Sequence, residues 1–113
     1  MFIIVSTYPD SKSLSKVAHH VVEKKLAACV NYTKINSIYF WQGKIHNSRE
    51  FLALFKTTAK SKQSLKKEIA KTHPYQVPEI AEIKLDDINV PYLKWLQDST
   101  LQRKPKKRNN SSK

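Results

Sequence analysis

One cysteine, one glycine and nine acidic residues against 21 basic ones are the scarcities that bound this 113-residue chain. With Cys29 alone, a disulfide within the chain and a metal site built from several thiolates of one subunit are both excluded, which suits a reducing compartment. With Gly43 alone there is no P-loop and no glycine-rich phosphate cradle. No long apolar run is present either. The stretch from Met1 to Val5 is too short for a membrane span or a signal peptide and carries no basic flank, so a soluble cytoplasmic protein with no membrane partner is expected. No nucleophile stands paired with a base, so no catalytic residue is assigned and the chain is not read as an enzyme.

What is present supports one domain: 40% of the residues are hydrophobic, enough for a single ordinary core. A formal charge of +12 ordinarily points to nucleic acid or an acidic membrane surface. Its distribution argues otherwise. Arg103, Lys104, Lys106, Lys107, Arg108 and Lys113 all follow the last acidic residue, Asp98, leaving +6 on the rest. Residues 102–113 have no apolar side chain to bury and are read as a basic, disordered tail behind a domain spanning 1–101. Nucleic-acid binding is then confined to that tail and is the least favoured function.

Hydrophobic periodicity orders the elements. Residues 2–7 read as a buried strand, ended by Tyr8-Pro9-Asp10. Asp10 caps a helix whose apolar stripe runs Leu14, Val17, Ala18, Val21, Val22 and Leu26. Two long β-rich segments, 28–41 and 44–57, flank Gly43 and predict a hairpin of unsettled turn type, with a bulge or break near Thr33 and Lys34 where alternation changes phase. Arms of this length extend roughly 45 Å, against about 35 Å for a compact globule of this size. The hairpin should overhang its own domain, and its exposed Ile38, Tyr39, Phe40 and Trp41 call for cover by another chain. A helix over 61–72, a strand over 79–85 and a helix from Val90 to about Leu101 complete the order β-α-β-β-α-β-α. This is the α+β, ferredoxin-like arrangement with an extra C-terminal helix.

Between the second helix and the last strand lies His73-Pro74-Tyr75-Gln76-Val77-Pro78-Glu79. Each proline fixes its own φ and pushes the preceding residue out of the α region, so the segment is a stiff connector presenting a histidine, a tyrosine and a glutamate. Glu50 and Lys56, six apart on a strand, share a face and either form an interfacial ion pair or line a polar cleft. Trp41 and Tyr39 serve interface packing or ligand stacking.

Residues 26–31 (Leu-Ala-Ala-Cys-Val-Asn), 37–45 (Ser-Ile-Tyr-Phe-Trp-Gln-Gly-Lys-Ile), Glu50, Phe55-Lys56-Thr57, 73–80 and Tyr92-Leu93-Lys94-Trp95-Leu96 resemble, in order and spacing, the CutA family of divalent-cation-tolerance proteins. The resemblance covers roughly residues 2–100. It implies a homotrimer with long hairpins wrapping neighbouring subunits, and tolerance of copper and other divalent metals. It also suggests a trimeric small-ligand or signalling platform, by likeness to nitrogen-regulatory proteins. Copper ligands proposed for enterobacterial members fall at Ser6, Thr72 and His73 here, so His73 is the single candidate metal ligand. An inter-subunit cleft built from Trp41, Glu50, Lys56, His73, Tyr75 and Glu79 is the candidate site for a metal ion or an unknown small ligand.

Overall fold

The computed structural model describes residues 1–100; the expected basic tail lies outside the described residues. Its elements run β1 (Phe2–Tyr8), α1 (Ser11–Glu23), β2 (Cys29–Trp41), β3 (Lys44–Thr57), α2 (Lys62–Thr72), β4 (Ala81–Lys84) and α3 (Val90–Asp98). The four strands form one antiparallel sheet in the order β2-β3-β1-β4. α1 and α2 cover one face. There Ile4, Tyr8, Ala53 and Phe55 of the sheet meet Leu14, Val17, Val21, Leu65 and Ile69 of the helices, all buried.

Local chemistry sets the ends of these elements. The Asp10 carboxylate accepts from the Ser13 N–H at 2.7 Å and caps α1. With no glycine available, Lys25 takes the left-handed conformation (φ 61°) that ends the helix. The Lys25 N–H donates to Val22 and the Leu26 N–H to Val21, which is the Schellman pattern, and Leu26 is pulled into the core. The hairpin closes through Gln42 and Gly43, with φ of 50° and 81°, so both central residues have the sign a type I′ turn requires.

The expected bulge at Thr33 and Lys34 is absent. Pairing of β2 with β3 is unbroken from Cys29↔Lys56 to Trp41↔Lys44. The change of phase reflects environment, because Val30 and Tyr32 face the helices whereas the hairpin beyond them outruns both helices. The described chain measures 59 × 29 × 22 Å, which is the overhang the arm lengths predict. Ile38, Phe40 and Ile45 at the tip are 74%, 71% and 67% exposed. One smaller expectation also fails: Val22, assigned to the buried stripe of the first helix, is exposed. Cys29, at the start of β2, is half-buried.

Strand alternation places Ile3, Val5, Thr7, Ile35, Leu52, Leu54 and Ile83 on the face that α1 and α2 do not cover. None of these seven is fully buried. At one end of this face Lys56 donates to the Tyr92 hydroxyl of α3 at 3.3 Å and lies 5.5 Å from its ring centroid. Beyond it, Ile3, Val5, Leu52, Leu54 and Ile83 give the face an apolar stretch that neither α1 nor α2 covers.

Inside the main core, the Tyr8 hydroxyl is buried without a hydrogen bond of ordinary geometry. Burial pushes its pKa up to about 12, against a small opposing influence from Ser6. Since an unpaired buried hydroxyl costs on the order of 1 kcal/mol or more, Tyr8→Phe should leave thermal stability unchanged or raise it. A fall in the midpoint beyond about 4 °C would show that this hydroxyl has a partner.

Candidate functional site

The proline-bounded connector reaches back across the sheet because His73 is held from three directions. Its Nε2–H donates to the Thr7 carbonyl at 2.9 Å and lies 3.1 Å from the Ser6 hydroxyl. On the other side of the ring, Nδ1 accepts the Tyr75 N–H at 3.1 Å. The imidazole also stacks on Tyr8, with centroids 4.1 Å apart. This pattern selects the neutral Nε2–H tautomer, since a proton on Nδ1 would oppose the Tyr75 N–H. Burial lowers the His73 pKa, with the Thr7 carbonyl and the nearby Glu50 pulling it back.

That bonding decides what His73 offers a metal ion. Both ring nitrogens are engaged, so ligation would first require loss of the Tyr75 or the Thr7 contact. Its neighbours are a hydroxyl and a carbonyl, poor donors for copper. Among the described residues no group of three or more histidine, cysteine, aspartate or glutamate side chains converges on one point. The side chains of one chain therefore do not fit a closed copper site. Each of the other histidines has one ring nitrogen in a contact: His20 meets Glu68 at 2.8 Å, His19 meets the Ser15 carbonyl at 2.8 Å, and His46 meets the Trp41 carbonyl at 3.1 Å.

Fixing His73 positions Tyr75. The Tyr75 hydroxyl donates to Glu50 Oε2 at 2.5 Å, the short distance expected when the acceptor is ionised. Burial raises the Tyr75 pKa, and the bond to Glu50 raises it further, so the phenol keeps its proton at physiological pH. Glu50 is 8% exposed, on the face away from α1 and α2 and just beyond the end of the β1–β3 pairing. Beside this pair opens a cleft of about 600 Å³. Trp41 and Tyr39 of β2, Glu50 of β3, and Tyr75 and Glu79 of the connector line it, together with Val5, Thr7, Ile35, Ser37, Leu52, Gln76 and Val77.

The structure thus brings Trp41, Glu50, Tyr75 and Glu79 to one cavity. Lys56 is directed instead to Tyr92, and His73 lies behind Tyr75 as its support. Tyr39 and Ile35 also line the cleft and were not assigned to it from the sequence. The signal was available in strand parity: Ile35 pairs with Glu50, and Tyr39 and Trp41 fall on the same face two and three alternations further on.

Comparison with known proteins places this geometry in context. The family model described as CutA1 divalent ion tolerance protein matches residues 2–99. The divalent-cation tolerance protein CutA of Thermotoga maritima is 36% identical over 101 residues, 89% of this chain and all of that one. Its counterpart from Pyrococcus horikoshii is 40% identical over 100 residues, 88% of this chain and 98% of that one. The crystal structure of Pyrococcus horikoshii CutA1 superposes with a TM-score of 0.87 at 38% identity, covering 90% of this chain and all of that chain. CutA1 from Oryza sativa gives 0.85 at 32% identity, covering 90% and 94%. The family match runs from the start of β1 to just past α3, the superpositions cover 90% of the chain, and so this chain belongs to the CutA1 family of divalent-ion-tolerance proteins.

Proposed function

We propose that this protein supports divalent-cation tolerance as a cytoplasmic homotrimer, joined through the sheet face that its own helices leave open, with the cleft at Glu50 and Tyr75 receiving a small ligand between subunits. It acts by binding and not by catalysis. The open face carries the reading: Ile3, Val5, Leu52, Leu54 and Ile83 form a contiguous apolar surface on the central and edge strands, continued by a hairpin whose tip is apolar on both sides. An unassembled chain with such a surface is an aggregation hazard, and association with copies of itself removes the hazard without a second gene product. The neighbouring subunit then walls the open side of the cleft.

Copper at His73 is the less favoured version of the function, because the imidazole has no free lone pair. Light scattering at micromolar concentration should give three times the 13.1 kDa mass of one chain. Calorimetric titration of metal-free protein with copper and zinc, beside His73→Ala, separates the two versions. Equal heats in wild type and variant are expected. Tight copper binding that disappears in His73→Ala would replace the ligand-cleft reading with a direct metal site, and a monomeric mass would overturn the assembly.

A further inference from the structure

Charge is distributed unevenly between the cleft and the rest of the molecule. The chain carries 21 lysines and arginines against nine acidic residues, yet the cleft is lined by two carboxylates, Glu50 and Glu79, and by no lysine, arginine or histidine. On the same sheet face, Lys56 is drawn away to Tyr92, while Lys44, paired with Trp41, and His46, stacked on Tyr39, lie toward the hairpin turn outside the lining. Around the carboxylates stand three aromatic side chains, Tyr39, Trp41 and Tyr75. Tyr39 and Trp41 are 43% and 47% exposed on the cleft side of β2.

These features select among ligands. An anion would meet two carboxylates with no cation among the residues that this chain contributes to the lining. A neutral apolar molecule would leave the Glu50 carboxylate, 8% exposed, without a charge to face it. A hard divalent ion requires six or more oxygen donors or retained waters; Thr7, Ser37 and Gln76 add oxygens to the two carboxylates, but such an ion makes no use of the Trp41 ring or of the aliphatic part of the lining. A weakly hydrated organic cation satisfies both parts of the lining, because its charge is attracted to the carboxylates and to the faces of Trp and Tyr, while its carbon framework covers Leu52 and Val77.

We infer that the cleft is a binding site for an organic ammonium ion carrying an apolar group, held by Glu50 and Glu79 and enclosed by Tyr39, Trp41 and Tyr75. This rests on the ligand-cleft reading above and names the chemistry of its ligand. Tyr75 contributes twice, since its hydroxyl orients the Glu50 carboxylate while its ring forms part of the wall. His73 holds Tyr75 through the backbone N–H and ring contact, with centroids 5.2 Å apart, and is a positioning residue.

The test is calorimetric titration of the full chain with phenethylammonium chloride and with 2-phenylethanol, a neutral probe of the same size, with the oligomer mass measured in the same samples. The ammonium probe should bind at least roughly tenfold more tightly than the alcohol, and Trp41→Leu and Glu50→Gln should each weaken it by roughly tenfold while changing binding of the alcohol much less, so that the gap between the two probes narrows. Glu79→Gln, at an exposed position that cannot disturb folding, should weaken it by roughly threefold. Equal binding of the two probes, or ammonium binding indifferent to all three substitutions, overturns the inference. Magnesium displacing the ammonium probe at equal concentration does so as well, since it would make the site one for hard cations. A monomeric mass with the ammonium preference intact overturns the trimer and leaves the ligand class standing.

Discussion

Leu54→Asp should convert the proposed trimer to single chains of 13.1 kDa while leaving the helical and sheet content of each chain in place. Leu54 sits on β3, an inner strand, paired with Val5 on one side and Asn31 on the other, on the face opposite α1 and α2. It contributes nothing to the buried core that holds the helices to the sheet, where the β3 residues are Ala53 and Phe55. In an isolated chain the new carboxylate reaches water and costs little. Within a subunit interface it is desolvated without a partner, at a penalty of several kcal/mol for every copy. A symmetric assembly repeats that penalty in each subunit, so dissociation is the expected outcome at micromolar concentration. Light scattering together with far-UV circular dichroism reads both halves of the prediction. A variant that keeps the wild-type mass would move the interface away from this face, and a variant that loses its secondary structure would show Leu54 to belong to the fold of the single chain.

The second large effect concerns His73. Replacing it with alanine removes the donor to the Thr7 carbonyl, the acceptor for the Tyr75 N–H and the ring that covers Tyr8. Two backbone groups then lose partners in a half-buried setting, and the summed cost is about 2–4 kcal/mol. Urea unfolding at fixed protein concentration measures it, the concentration being held because assembly adds to apparent stability. A loss below about 1 kcal/mol would mean that water replaces the ring without penalty. The same residue makes wild-type stability depend on pH. Because the folded-state pKa lies below the ordinary value of 6.5, the unfolded chain takes up the proton first as pH falls. The contribution is therefore complete above about pH 6.5 and is lost as pH drops through the folded-state value. His73→Ala should flatten the stability profile in that window, and an identical slope in both proteins would assign the pH dependence to other groups.

Much of this molecule was legible from residue order alone, for identifiable reasons. The apolar stripe from Leu14 to Leu26 repeats at helical spacing over three turns, and only its exposed member Val22 departs from the expected burial. The hairpin was readable because two β-branched and aromatic arms flank the sole glycine, and the overhang followed from arm length against domain size. The bulge at Thr33 and Lys34 misled because a change in the apolar pattern was attributed to the backbone. Its cause is that α1 and α2 end before the hairpin does, which no local window of sequence reveals. Lys56 misled for a similar reason: its parity with Glu50 is real, but Tyr92, 36 residues later, takes up its ammonium group.

Sequence by itself determined the elements, their antiparallel succession, the stiffness of the connector and the family, because helical and strand periodicity, proline geometry and ordered motifs are properties of short stretches of chain. Tertiary structure alone decided which functional side chains meet. The bond between Tyr75 and Glu50 spans 25 residues and those between His73 and β1 span 66 and 67. Contacts so distant exist only once β1, β3 and the connector are packed together. That packing leaves His73 without a free nitrogen and surrounds two carboxylates with aromatic rings. The same fold that removes the most evident metal ligand assembles the cation-selective cleft beside it.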